Sequence, residues 1–117
     1  MVQPKRGRRL GGSSSHQKAM MKNLAISLIE HGKIETTKSR AKFVRMLIDR
    51  LIIFGKKGDL ASRRHCLSLL GNYNTVKKLF DEIAPNSYAR SSGFTRIVKI
   101  KNRLGDNAEV VQIELLK

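Results

Sequence analysis

The feature that most constrains this chain is a change of hydrophobic period near Gly93. Before it, apolar residues recur every three to four positions, and each run ends at a glycine or a proline: Gly32, Gly58, Gly71 and Pro85. After it, β-branched residues alternate with polar ones. A helix buries a stripe with a 3.6-residue repeat and a strand buries every second residue. The succession therefore predicts helices first and paired strands last.

Ser13-Ser14-Ser15 offers an N-cap, because a Ser hydroxyl accepts a bond from an otherwise unpaired helix N–H. The first helix runs from about His16 to His31, with Met21, Leu24, Ala25, Leu28 and Ile29 facing inward and Gly32 as a left-handed stop. Ile34 to Thr37 is short and β-branched, a strand. A second helix spans about Ser39 to Lys57, burying Ala41, Val44, Ile48, Leu51 and Ile52. Asp59 caps a third helix ending at Leu70, whose buried side is marked by Leu60, Leu67 and Leu70. Asn74 caps a fourth, with Val76, Leu79, Phe80 and Ile83 on one face, and Pro85 bars its continuation. Phe94–Lys101 and Ala108–Leu116 form an antiparallel hairpin whose loop uses Gly105 or Asn107 at positive φ. The class is α+β: a two-layer α/β domain in the order α-β-α-α-α-β-β over residues 13–117, behind a basic extended arm over residues 1–12.

The charge decides the partner. The chain has 117 residues with 24 Lys+Arg against 9 Asp+Glu, a net +15. Eleven of those fifteen net charges fall in the first 57 residues. The arm residues Lys5, Arg6, Arg8 and Arg9 repel one another and cannot all find carboxylates, whereas a phosphate backbone relieves the repulsion and releases counterions. Ser14 and His16 open the first helix, where free N–H groups and the helix dipole favour a phosphate, and Lys18 and Lys22 follow one turn apart. Lys38, Lys42 and Arg45 make a like-charged stripe on the second helix, which a backbone-tracking surface explains. Arg40 and Lys56-Lys57 widen that surface, while Arg63-Arg64 and Arg90 fit surface ion pairs equally well. Aromatics are 5% and Trp is absent, so stacking platforms are not the main binding device.

Other classes are excluded or weak. No apolar run approaches the roughly 20 residues of a membrane span, so no membrane partner is expected. Cys66 is the single cysteine, so neither an intrachain disulfide nor a two-thiolate zinc site is possible, and no metal or cofactor is expected. The N-terminus lacks the apolar core of a secretory signal. Its basic, acid-free composition overlaps with transit peptides, but Pro4, Gly7, Gly11 and Gly12 break the amphipathic helix a presequence needs. His16, His31 and His65 sit on separate elements, and no Walker-type loop or paired-carboxylate spacing appears, so neither an enzyme nor a small-molecule substrate is expected. No helix-turn-helix is visible.

The ordered residues also resemble a known family, the bacterial-type large-subunit ribosomal protein L-seventeen. The likeness is carried by Arg9-Leu10-Gly11 leading to Ser14-Ser15-His16, then Ala19-Met20, Asn23-Leu24, Glu30-His31, Ile34, Thr36-Thr37 and Ala41-Lys42. It continues through Gly93-Phe94-Thr95-Arg96-Ile97, Arg103, Gly105-Asp106-Asn107-Ala108 and Ile113-Glu114-Leu115. The resemblance implies a cytoplasmic, ribosome-bound structural protein without catalytic residues. Its partners would be 23S rRNA, near the rim of the peptide exit tunnel, and neighbouring large-subunit ribosomal proteins. The rRNA-facing residues it implies are Lys5, Arg6, Arg8, Arg9, Ser14, Ser15, His16, Lys18 and Lys22, followed by Thr37, Lys38, Lys42, Arg64, Arg90 and Arg96. Ala84-Pro85 stands where the family has Gly-Pro, and Phe94 where a Tyr is usual, which deletes any hydrogen bond from that ring to RNA. Glu109-Val110 replaces Pro-Met, a change at the hairpin exit rather than on the RNA face. The rival readings are a free nucleoid or RNA-chaperone module and an enzyme acting on RNA.

Overall fold

The computed structural model describes residues 14–116; the arm and the capping role expected of Ser13 lie outside the described residues. The chain runs α1 (Ser14–His31), β1 (Lys33–Thr37), α2 (Lys38–Lys57), α3 (Leu60–Leu70), α4 (Tyr73–Lys78), a π-helical turn (Leu79–Ile83), α5 (Ala84–Asn86), β2 (Thr95–Asn102) and β3 (Glu109–Leu115). From Tyr73 to Asn86 the helical path is unbroken. The three strands form one antiparallel sheet in the order β1-β3-β2.

Local chemistry sets the boundaries. Gly32, Gly58 and Gly71 take positive φ at 81°, 69° and 68°, and each donates its N–H to a carbonyl four residues back. Asp59 accepts the Ser62 N–H at 2.8 Å and so caps α3. In the hairpin both candidate residues are left-handed, Gly105 at φ 100° and Asn107 at φ 57°.

The core lies between helices and sheet. Ile34, Ile113 and Ile97 form one row across the three strands. Ile113 and Val111 meet Leu28, Ile29, Val44, Ile48 and Leu51 in one buried cluster. Every residue expected to face inward from the second helix is buried.

Three local expectations change. The buried stripe of α3 is Ser62, Cys66 and Leu70, while Leu60 and Leu67 are exposed. At about 100° per residue, the Leu60–Leu67 stripe lies roughly 100° round the helix from the Ser62–Cys66–Leu70 stripe. The small side chains at 62 and 66 let α3 pack closely, so size outranks hydrophobicity there. Asn72, not Asn74, caps α4, accepting the Thr75 N–H at 3.2 Å. Pro85 does not stop the helix. The preceding turn widens so that the Ala84 N–H reaches the Leu79 carbonyl, five residues back, and Ala84 keeps helical angles (φ −62°, ψ −43°) directly before the proline. A π turn absorbs the irregularity that a proline imposes on a helical ladder.

Candidate nucleic-acid interface

The expected RNA-facing residues separate into groups. Lys5, Arg6, Arg8 and Arg9 lie outside the described residues. Ser14 is the first residue of α1, and the first turn of that helix contains no acid. Ser15, His16 and Lys18 are exposed along it. Lys22 points elsewhere: a Cβ placed on Gly71 would come within 3.0 Å of its Nζ, so its ammonium sits at the C-terminal end of α3. Cations are favoured there by the partial negative charge of the helix end. Lys22 thus sits beside that helix end while remaining exposed on α1, one turn from Lys18.

On α2, Thr37 is the N-cap in extended conformation (φ −71°, ψ 154°), and its hydroxyl makes no capping bond. Lys38 pairs with Glu109 at 3.3 Å. Lys42 and Arg50 are exposed, as is Arg40, and none has a carboxylate within ion-pair distance among the described residues. Asp49 interrupts the stripe: burial raises its pKa, while the charge of Arg45 and the Phe94 backbone N–H lower it.

The remaining candidates behave differently. Arg64 is exposed on α3 without a carboxylate partner among the described residues. Arg90 is exposed, with its carbonyl accepting a bond from the Lys56 ammonium. Arg96 is paired with Glu114, directly opposite in the sheet register, its Nε donating at 2.7 Å. The structure thus distinguishes cations already holding a carboxylate (Lys38 and Arg96) from those whose charge is uncompensated (Lys18, Lys42, Arg64 and Arg90).

Two departures from the family pattern take on new meaning. Phe94 is 1% exposed, with the Lys56 ammonium 5.1 Å from its ring, so the aromatic ring is a core anchor. Glu109 bridges Lys38 and Lys99 (3.3 and 3.4 Å), and both lysines hold its carboxyl below its usual range. Its substitution for proline therefore reaches the candidate surface as well as the hairpin exit.

Sequence reasoning passed over Lys99 and Lys101 on β2 and two tyrosines, Tyr73 and Tyr88, that stand about 60% exposed. The alternation of Lys99 and Lys101 was a visible signal of a solvated strand edge. Nothing local marked the tyrosines. Among the described residues no cluster of His, Cys, Asp and Glu can hold a metal, and no helix is long and apolar enough to cross a membrane.

With charge and fold in place, residues 20–116 match the family model for ribosomal protein L17. The chain belongs to the ribosomal protein L17 family. It is 52% identical over 113 residues to the large ribosomal subunit protein bL17 of Syntrophotalea carbinolica, covering 97% of this chain and 73% of that protein. The L17 match begins within α1 and runs through β3, so it takes in Lys42, Arg64 and Arg90, while Lys18 lies two residues ahead of it.

Proposed function

We propose that the chain is a structural constituent of the large ribosomal subunit, bound to 23S rRNA through phosphate and shape contacts near the rim of the peptide exit tunnel. Family membership carries the ribosomal part of this reading, as the similar protein is named for the large subunit. The uncompensated cations of α1, α2 and α3 support the RNA contact, because only charge not already neutralised releases counterions on binding. Folded RNA is recognised by backbone and shape, which suits a surface of dispersed cations. In this reading residues 1–12 act as a second clamp beside the domain of residues 13–117, and neighbouring large-subunit proteins pack against it. The protein performs no catalytic step and is ribosome-bound in the cytoplasm.

The test is sedimentation. The chain is expected to travel with 50S and 70S particles through high-salt sucrose gradients; a pool that stays at the top overturns the reading and favours a free RNA-binding module. Replacing Lys5, Arg6, Arg8 and Arg9 with Ala should flatten the salt dependence of 23S rRNA binding by about 0.7–0.9 in log–log slope for each phosphate no longer neutralised. An unchanged slope would leave the arm a solubilising tail.

A further inference from the structure

We propose that Tyr88 is a base-stacking contact, its ring taking an unpaired rRNA base while Arg90 holds an adjoining phosphate. This rests on the reading of the chain as an rRNA-binding protein. It adds a single stack to the phosphate clamp, consistent with a chain too poor in aromatics for a stacking platform.

The first observation is where the rings are. Phe80 and Phe94 are buried, and Phe43 and Phe54 pack against the core, whereas Tyr88 is 60% exposed. A lone exposed tyrosine is ordinary. The mounting of this one is the second observation. Residues Ser87 to Arg90 form a turn in which the Arg90 N–H donates to the Ser87 carbonyl at 3.1 Å. Ser87 is 1% exposed, and its hydroxyl donates to the Ile83 carbonyl at 3.0 Å. At the other end, the Lys56 ammonium of α2 donates to the Arg90 carbonyl and also faces the buried Phe94 ring. The turn is therefore tied to the last helical segment on one side and to α2 on the other, with Tyr88 at its first corner.

The equally exposed Tyr73 is also fixed, on the opening turn of α4 that Asn72 caps, but the residue two along from it is the buried Thr75 where Tyr88 has the cation Arg90. A ring carried on a fixed turn has little conformational entropy left to lose on binding, because Tyr turns about only two side-chain bonds. Its neighbours Ala89, Ser91, Ser92 and Gly93 are small and uncharged, which leaves room for a nucleotide. Arg90 is exposed and has no carboxylate within ion-pair distance among the described residues. A-form duplexes keep their bases stacked and their major groove closed to side chains, so an outward ring suits a base splayed from a loop or bulge.

The protein supplies its own probe. It has two tyrosines and no tryptophan, so Tyr73→Phe leaves Tyr88 as the sole tyrosine emitter. Titrating that variant with transcribed 23S rRNA should quench its emission. Tyr88→Ala should weaken 23S rRNA binding by about five- to 150-fold with the salt slope unchanged, and Tyr88→Phe should bind like the parent. Ultraviolet crosslinks from Tyr88 in 50S particles should map to an unpaired nucleotide. Equal affinity of Tyr88→Ala, unquenched emission on bound protein, or crosslinks to a neighbouring protein or a duplex would each overturn the stack while leaving the phosphate clamp standing. Failure of the parent chain to bind 23S rRNA at all would overturn both.

Discussion

Replacing Gly55 with Ala tests how closely α2 approaches Ala84. Gly55 lies inside α2, where exchange for Ala ordinarily gains about 0.8–1.0 kcal/mol of helix propensity. Here the new Cβ would fall 2.8 Å from the Ala84 Cβ, with the Leu79 Cγ and carbonyl oxygen at 3.8 Å. Carbon atoms prefer separations of about 3.5–4.0 Å, so the gap is short by roughly 1 Å. Ala84 is fully buried and has no rotamer that moves its methyl aside. Relief therefore requires α2 to back away from the π turn, and overpacking of this kind costs about 1–3 kcal/mol. With a rigid partner the upper half of that range applies, so net destabilisation should be about 1–2 kcal/mol. Urea unfolding followed by far-ultraviolet dichroism should show the midpoint falling by roughly 1 M at an unchanged slope. Ala84→Gly added to Gly55→Ala should recover at least about 1 kcal/mol relative to the sum of the single changes. A raised midpoint for Gly55→Ala, or additive single changes, would refute the close contact.

Other outcomes follow from the charges and the thiol. Lys42→Ala should lower the salt slope of rRNA binding by about 0.7–0.9 and Lys38→Ala by less, because Lys38 already holds Glu109 at 3.3 Å. Glu109→Gln should tighten rRNA binding by freeing Lys38 and Lys99, and an unchanged affinity would show that neither meets RNA. Cys66 is buried and its thiol is pushed up to about 11 by desolvation, so thiol reagents at pH 8 should label it only in denaturant; rapid labelling of the folded protein would contradict its placement. Asp106 is held down to about 2, first by its bonds from the Arg103 side chain and then by the Ala108 N–H. A carboxyl whose folded value is depressed adds stability above its unfolded value near 3.8, and that stability is lost as pH falls toward 2. Asp106→Asn should therefore flatten the acid limb of the stability curve, and an unaltered limb would remove the carboxylate from the account.

What was legible in the sequence was what one residue or one period decides. Glycine at a helix end has a local energetic reason, and Gly32, Gly58 and Gly71 all take the left-handed conformation. The inward stripe of α2 follows from spacing alone. Where a tertiary neighbour decides, local reading failed. Leucine attracts attention at positions 60 and 67, yet the space beside α1 and α2 admits the side of α3 bearing Ser62 and Cys66. Pro85 carries a strong stop signal, but the helix passes through it on a π turn, packed where Gly55 lets α2 come close. Among site residues, the type was visible and the pairing was not. Lys38 and Glu109 lie far apart in the chain, and only the meeting of β1, α2 and β3 brings them within 3.3 Å.

The placement of the carboxylates decides which cations are neutralised within the fold. Asp59 caps a helix, Asp106 fixes the hairpin turn, Glu114 meets Arg96 across the sheet, and Glu109 holds Lys38 and Lys99. These acids cluster on the hairpin and the helix ends, where a shaped backbone needs them. Residues 1–29 contain none, and on the second helix the one acid, Asp49, is turned toward Phe94 rather than left among the outward cations. Carboxylates of β3 and the hairpin thus neutralise Lys38, Arg96, Lys99 and Arg103, whereas Arg40, Lys42 and Arg50 on α2 and Lys18 on α1 have no carboxylate within ion-pair distance among the described residues. On the proposed reading, the repulsion left on α1 and α2 is what an RNA phosphate backbone would relieve, so rRNA should stabilise the fold as it binds.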